Sequence, residues 1–254
     1  MRFGRSSCSL LIFVALGSMR AVAQENWSQG VPLEAYKPNY FLMGQPETKI
    51  QGSLKVRLIR DQNLYFGYTQ LMMWQMVRSD PYISDINYDP DIFYRIPIKG
   101  RKTQWLDLGP LEHESNGKGG AEEVSWNRSY VRYHDEWLVG ARATIRAEVK
   151  AWVPYSRNAN NRNLADYRGL WEGNVILSDS RPDSAVVDDL IIRFYAGGPS
   201  NVDPTRGGQE LTLRVSSSKR RYVQVIMLQV FHGFAESLLD YRHSYWAWRA
   251  GIGF

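Results

Sequence analysis

The chain has almost no cysteine and no long hydrophobic run. Its 254 residues include a single cysteine, Cys8, and none follows it. A disulfide scaffold is therefore excluded. No stretch approaches the roughly 20 apolar residues that a membrane-spanning helix needs. The run Leu10 to Leu16 is far too short, and Arg20 closes it. An excess of one charge is also missing. The formal charge is +5, but residues 1–23 carry Arg2, Arg5 and Arg20 and no acid, so the remainder holds only +2. That balance removes the main support for a nucleic-acid partner.

What is present points to export and to a sheet. Arg2 and Arg5, the apolar run and Ala21-Val22-Ala23 form a signal peptide over residues 1–23, with the mature chain expected to begin at Gln24. Residues 24–32 form a polar N-terminal extension. Aromatics make up 13% of the chain, with nine tryptophans. Export, no disulfides, many aromatics and no helical span together imply an all-β fold: a transmembrane antiparallel β-barrel of about twelve strands over residues 33–254, in a bacterial outer membrane.

Alternation supports this. Trp246, Trp248, Ala250, Ile252 and Phe254 share one face, and Arg249, Gly251 and Gly253 the other. This is the lipid-out, lumen-in dyad of a barrel strand. Phe66, Tyr68, Met72 and Trp74 share a face, as do Val131 and Tyr133, opposite Arg128 and Arg132. Turn signals divide the chain into strand candidates near 33–44, 50–60, 64–77, 88–98, 103–114, 125–134, 137–154, 165–178, 184–197, 208–217, 220–234 and 242–254. Asp61-Gln62-Asn63 and His134-Asp135-Glu136 read as short turns, and Asn158 to Asn163 and Gly197 to Gly208 as longer loops.

The segment His113-Glu114-Ser115-Asn116-Gly117, followed by Ser125-Trp126-Asn127, carries the chemistry. Residues i and i+2 of a strand point to one face, so His113 and Ser115 can meet. A hairpin with matched arms sets residue 113 opposite 127 and 115 opposite 125. Asn127 could then hold one imidazole nitrogen while the other faces the serine, the nucleophile–base–orienter arrangement of a serine hydrolase. Asn127 shares a face with Val131 and Tyr133, so the three polar residues would lie on the lipid side. That is costly without a function and suits a substrate that is itself lipid. Leu106, Leu108 and Leu111 fall on both parities, so the facing of His113 rests on the hairpin. Gln70 is a second polar residue on an apolar face. Either a bulge turns it inward or it meets a partner, most simply another copy of itself.

These residues resemble a known family, the outer-membrane phospholipase A of Gram-negative bacteria. The likeness runs from about Leu33 to Phe254. It is strongest at Gly67-Tyr68-Thr69-Gln70, Asn87-Tyr88-Asp89-Pro90, the His113 to Asn127 block and Gly233 to Tyr241. The resemblance implies a twelve-stranded barrel, active as a homodimer and dependent on Ca²⁺, that hydrolyses acyl esters of glycerophospholipids and lysophospholipids. It assigns Ser115 as nucleophile, His113 as base, Asn127 as orienter and the Gly117 amide as an oxyanion donor. It assigns Ca²⁺ to the Lys118 carbonyl, to Ser79 of the second copy, and to Glu123, where the family typically has a serine; Glu122 is an alternative ligand. It places Gln70 at the dimer interface. The terminal Phe254 is the signal that outer-membrane assembly machinery reads in such barrels. The alternative is a catalytically inactive barrel with a structural or small-pore role.

Overall fold

The computed structural model describes residues 32–140, 143–179, 189–216 and 225–254. The proposed signal peptide and nearly all of the 24–32 extension lie outside the described residues, as do residues 184–188 and 220–224 of two strand candidates.

Among the described residues, thirteen strand segments form one antiparallel sheet. They are β1 (Leu33–Ala35), β2 (Tyr40–Gln45), β3 (Thr48–Arg57), β4 (Leu64–Gln75), β5 (Tyr82–Pro97), β6 (Trp105–Ser115), β7 (Ser125–Val139), β8 (Ala143–Arg157), β9 (Trp171–Asp179), β10 (Asp189–Gly197), β11 (Asp203–Ser216), β12 (Val225–Gly233) and β13 (Tyr245–Gly253). Neighbours in sequence pair from β3 round to β13, and β13 pairs with β2, so the sheet closes. β1 and β2 lie end to end along β3, Leu33 opposite Val56 and Tyr40 opposite Gln51. They count as one wall position, which makes the barrel twelve-stranded, as expected.

Four expectations are corrected. The first strand candidate, 33–44, is interrupted at Tyr36–Asn39, where Tyr36 donates to Asp91 at 2.6 Å and Lys37 to Asp89 at 2.8 Å. Those inward polar bonds replace ladder pairing. His134-Asp135-Glu136 is not a turn but part of β7. His134 stacks on Trp105 with ring centroids 3.5 Å apart, and Asp135 accepts from Gln104 at 2.8 Å. The candidate 165–178 begins with a helical turn, α1 (Ala165–Arg168), before β9. The 197–208 loop is shorter than expected, because β11 starts at Asp203.

The two faces of the wall differ as a barrel in lipid requires. Outward residues are large and apolar: Trp246 is 57% exposed, Trp248 58% and Val153 69%. The lumen is lined by paired charges. Arg132 and Arg95 both bind Asp107, at 2.7 and 2.8 Å, and Arg128 binds Glu112 at 2.9 Å. Lys150 also meets Glu112. Such pairs hold geometry more than they add stability, because desolvation cancels most of the Coulomb gain. They leave a lumen cavity of about 490 Å³.

One end of the barrel is capped. The β12–β13 connection, residues 234–244, folds inward: the Leu238 and Leu239 amides donate to Asn87 and Asp85 of β5 at 3.0 and 2.9 Å. Leu238 and Tyr241 join Trp126, Trp152 and Leu164 in one buried apolar cluster. The β6–β7 connection opens at this end.

Candidate active site

β6 and β7 pair in the register expected from the spacing, with His113 opposite Asn127 and Ser115 opposite Ser125. The parity conflict on β6 has a local cause. Gly109 faces Tyr130 and Glu112 faces Arg128, so Pro110 and Leu111 together oppose Ser129. This is a β-bulge. Proline suits it because no ladder donor is needed there, and Ser129 Oγ donates to the Pro110 carbonyl at 2.8 Å. The extra residue keeps Leu108 and Leu111 on the outer face, 38% and 44% exposed. It also turns Glu112 and Glu114 into the lumen, where they meet Arg128. His113 and Ser115 are thereby outward. Gly109 is required where it stands, because a Cβ there would lie 2.1 Å from the Tyr130 ring.

His113 Nδ1 and Asn127 Oδ1 are 2.9 Å apart. An amide oxygen only accepts, so Nδ1 carries the proton and Nε2 is left as a base. His113, Ser115 and Asn127 are all half-buried. Ser115 Oγ makes no hydrogen bond among the described residues. Bonds between a nucleophile and its base often tighten only when substrate binds.

The loop 116–124 begins one residue after Ser115. Buried Asn116 pins it from within. Its amide donates to the Glu122 carbonyl at 2.8 Å, and its oxygen accepts from Val124 N at 3.1 Å and Lys118 N at 3.3 Å. Gly117 has φ 63°, and a Cβ there would meet the Tyr88 ring at 2.6 Å, so only glycine fits. Lys118 and Glu123 share this loop. Ser79 is exposed on the β4–β5 turn and makes no polar contact with the loop among the described residues. Among the described residues no cluster of three or more His, Cys, Asp or Glu could hold a metal within one chain. Gln70 keeps the outward parity expected of it, yet it is only 5% exposed, and Tyr68 OH reaches its Oε1 at 3.4 Å. Sequence reasoning missed Asn116, Asn160 and Asn161 as supports of this loop. The asparagine-rich stretch 158–163 was the available signal, and its composition says only that it is a loop.

A closed barrel with an apolar outer belt defines a membrane β-barrel, and this one brings His113, Ser115 and Asn127 together on its outer face. The family model of phospholipase A1 matches residues 18–254, and the chain belongs to that family. A putative phospholipase A1 of Neisseria meningitidis serogroup B is 31% identical over 222 residues, 82% of this chain. The match covers 53% of that protein, so this chain spans about half its length. Phospholipase A1 of Escherichia coli K12 is 29% identical over 222 residues, 82% of this chain and 68% of the relative. Two solved structures share the fold. The outer membrane phospholipase of Salmonella typhi, a dimer with bound calcium, has a TM-score of 0.72 at 21% identity, covering 93% of this chain and 96% of that one. Outer membrane phospholipase A of Escherichia coli has a TM-score of 0.72 at 24% identity, covering 87% and 98%.

Proposed function

We propose that this chain is a calcium-dependent serine hydrolase of the bacterial outer membrane that cleaves acyl esters of glycerophospholipids and lysophospholipids. The observation that carries this is the 2.9 Å His113–Asn127 contact on the lipid-facing side of the barrel, two residues from Ser115. Ser115 Oγ attacks the ester carbonyl and passes its proton to His113 Nε2. The leaving alcohol takes that proton, and an acyl-serine remains. Water then attacks with His113 as base, releasing fatty acid and restoring Ser115. Asn127 holds the tautomer and ring orientation without adding charge. The Gly117 amide donates to the developing oxyanion. Asn127→Ala is expected to lower kcat by about tenfold to a hundredfold with KM nearly unchanged, the loss of one orienting hydrogen bond. Steady-state hydrolysis of a micellar ester substrate measures this, and an unaltered kcat would remove Asn127 from the mechanism.

The loop fits calcium by its donors. The Glu123 carboxylate has no hydrogen-bond or ion-pair partner among the described residues, and carboxylate and carbonyl oxygens are the ligands hard cations take. Glu122 is instead engaged by Lys118 Nζ at 3.1 Å, which makes Glu123 the better candidate. The Lys118 carbonyl, Glu123 and Ser79 of a second copy would hold the ion. When bound, Ca²⁺ supplies positive field at the oxyanion. A homodimer follows from this, with Gln70 facing the other copy. Phe254, outward and 47% exposed, is the proposed signal to the assembly machinery. The inactive small-pore alternative has less support, because ion pairs and the inward 234–244 segment occupy the lumen.

The test is fatty-acid release from phospholipid–detergent micelles in calcium and in chelator. Release is expected only with calcium. Glu123→Ala is expected to raise the calcium needed for half-activity by about tenfold or more, since one charged ligand is lost. Equal release in chelator would refute the calcium dependence. No release from a folded wild-type barrel would refute the hydrolase.

A further inference from the structure

The β8–β9 connection reaches across and takes hold of the loop next to Ser115. Asn160 Nδ2 donates to the Gly120 carbonyl at 2.7 Å and lies 3.4 Å from the Glu123 carbonyl. Asn161 is fully buried. Its oxygen accepts from Ser125 N at 3.4 Å and its amide donates to Ser125 O at 3.0 Å. Asn160 is itself held from two sides: its N–H donates to Asn158 Oδ1 at 2.9 Å, and its carbonyl accepts from Arg242 at 3.1 Å. Asn163 Oδ1 takes Tyr241 OH at 2.7 Å and Arg242 at 3.0 Å. The barrel cap, the β8–β9 connection and loop 116–124 are thus tied in series.

The loop's middle is a single 3-10 turn, Gly120–Glu122, closed by Glu123 N donating to the Gly120 carbonyl at 3.4 Å, and little from outside the loop holds it. A Cβ at Gly119 or Gly120 would meet nothing within 4 Å, so no packing restrains that stretch. Gly120 also has φ 67°, a conformation that a free glycine would readily leave. Asn116 secures the near side, through Glu122, Val124 and Lys118. The Gly120 and Glu123 carbonyls are bonded by Asn160, which lies outside the loop and belongs to no strand.

We propose that Asn160 is a positioning residue, fixing the Gly120–Glu123 stretch so that the Glu123 carboxylate is aimed before calcium arrives. This rests on the reading of Glu123 as a calcium ligand. Asn160 acts through the loop and is given no contact with substrate or ion. Pre-ordering the loop removes an entropy cost that metal binding would otherwise carry. The effect therefore falls on calcium affinity rather than on the chemistry at Ser115.

The experiment uses the refolded full chain in detergent, wild type and Asn160→Ala. The variant keeps the backbone bonds to Asn158 and Arg242, and gel mobility of the unheated barrel reports that it is folded. The first reading is trypsin cleavage after Lys118 in chelator, followed by mass spectrometry. Cleavage should be about tenfold faster in the variant, the net effect on local opening of losing the Asn160 side-chain bonds. The second is calcium binding by titration calorimetry and the calcium needed for half-activity. Both should rise about tenfold, with kcat at saturating calcium close to wild type. Unchanged cleavage, or faster cleavage with unchanged calcium affinity, would overturn the proposal, and so would a fall in kcat that saturating calcium did not restore. Wild-type protein that neither binds calcium nor responds to it would instead overturn the calcium reading beneath it, and the cleavage arm would still report on the clamp.

Discussion

Ser115→Ala is expected to lower ester hydrolysis by at least about a thousandfold and to leave the barrel intact. The size follows from the role. Removing the nucleophile of a serine hydrolase leaves only what binding and oxyanion stabilisation contribute. The intact fold follows from the contacts. Ser115 is half-buried and its hydroxyl makes no hydrogen bond among the described residues, so its removal strands no polar group. Backbone pairing with Ser125 and Tyr88 is unaffected by the side chain. Hydrolysis near the wild-type level in a folded Ser115→Ala barrel would show that another residue carries the reaction.

The largest stability effect is expected at Glu236 in the barrel cap. Its side chain is fully buried and accepts from Arg249 at 2.6 and 3.0 Å, from Tyr245 OH at 2.8 Å, and pairs with Lys49 at 3.0 Å. Lys49 has a second partner in Glu210 at 2.6 Å, but Arg249 has no other carboxylate among the described residues. Glu236→Ala would therefore strand a buried guanidinium. Breaking a buried pair from one side costs about 3–5 kcal/mol. Denaturant unfolding in detergent, followed by tryptophan fluorescence, should show a loss of that order. The double change Glu236→Ala with Arg249→Met should recover part of it, because it removes the stranded charge as well. A single-variant loss below about 1 kcal/mol would mean that water solvates this cluster and that the cap is not anchored as described.

The parts of this molecule legible in the sequence are those governed by period two. The outward set Trp246, Trp248, Ile252 and Phe254 was readable because lipid and lumen demand opposite chemistry of alternate residues. The register of His113 on Asn127 was readable because a hairpin's arms must match around its loop. The site lost clarity at Leu106, Leu108 and Leu111, where the bulge at Pro110 shifts the parity by one residue; Gly109-Pro110 was the signal available, and it does not say which way the strand turns. The false turn at His134-Asp135-Glu136 has a different origin. Polar triplets mark turns in soluble proteins, but the lumen of a barrel is polar too, and there His134 stacks on Trp105 within the strand. The break after β1 was hidden for the same reason, since Tyr36 and Lys37 turn inward to carboxylates on β5. Asn160 was out of reach altogether. It acts 40 residues away from the carbonyl it binds, and only the closed barrel brings the two loops together.

The most direct test of the central claim is covalent labelling with a long-chain alkyl sulfonyl fluoride in the presence of calcium, followed by peptide mapping. Among serines, such a reagent reacts with one made nucleophilic by a neighbouring base. The account predicts a single adduct, on Ser115, formed with loss of hydrolysis and absent when His113 is replaced by alanine. An adduct on a different serine, or full hydrolysis with Ser115 blocked, would contradict it.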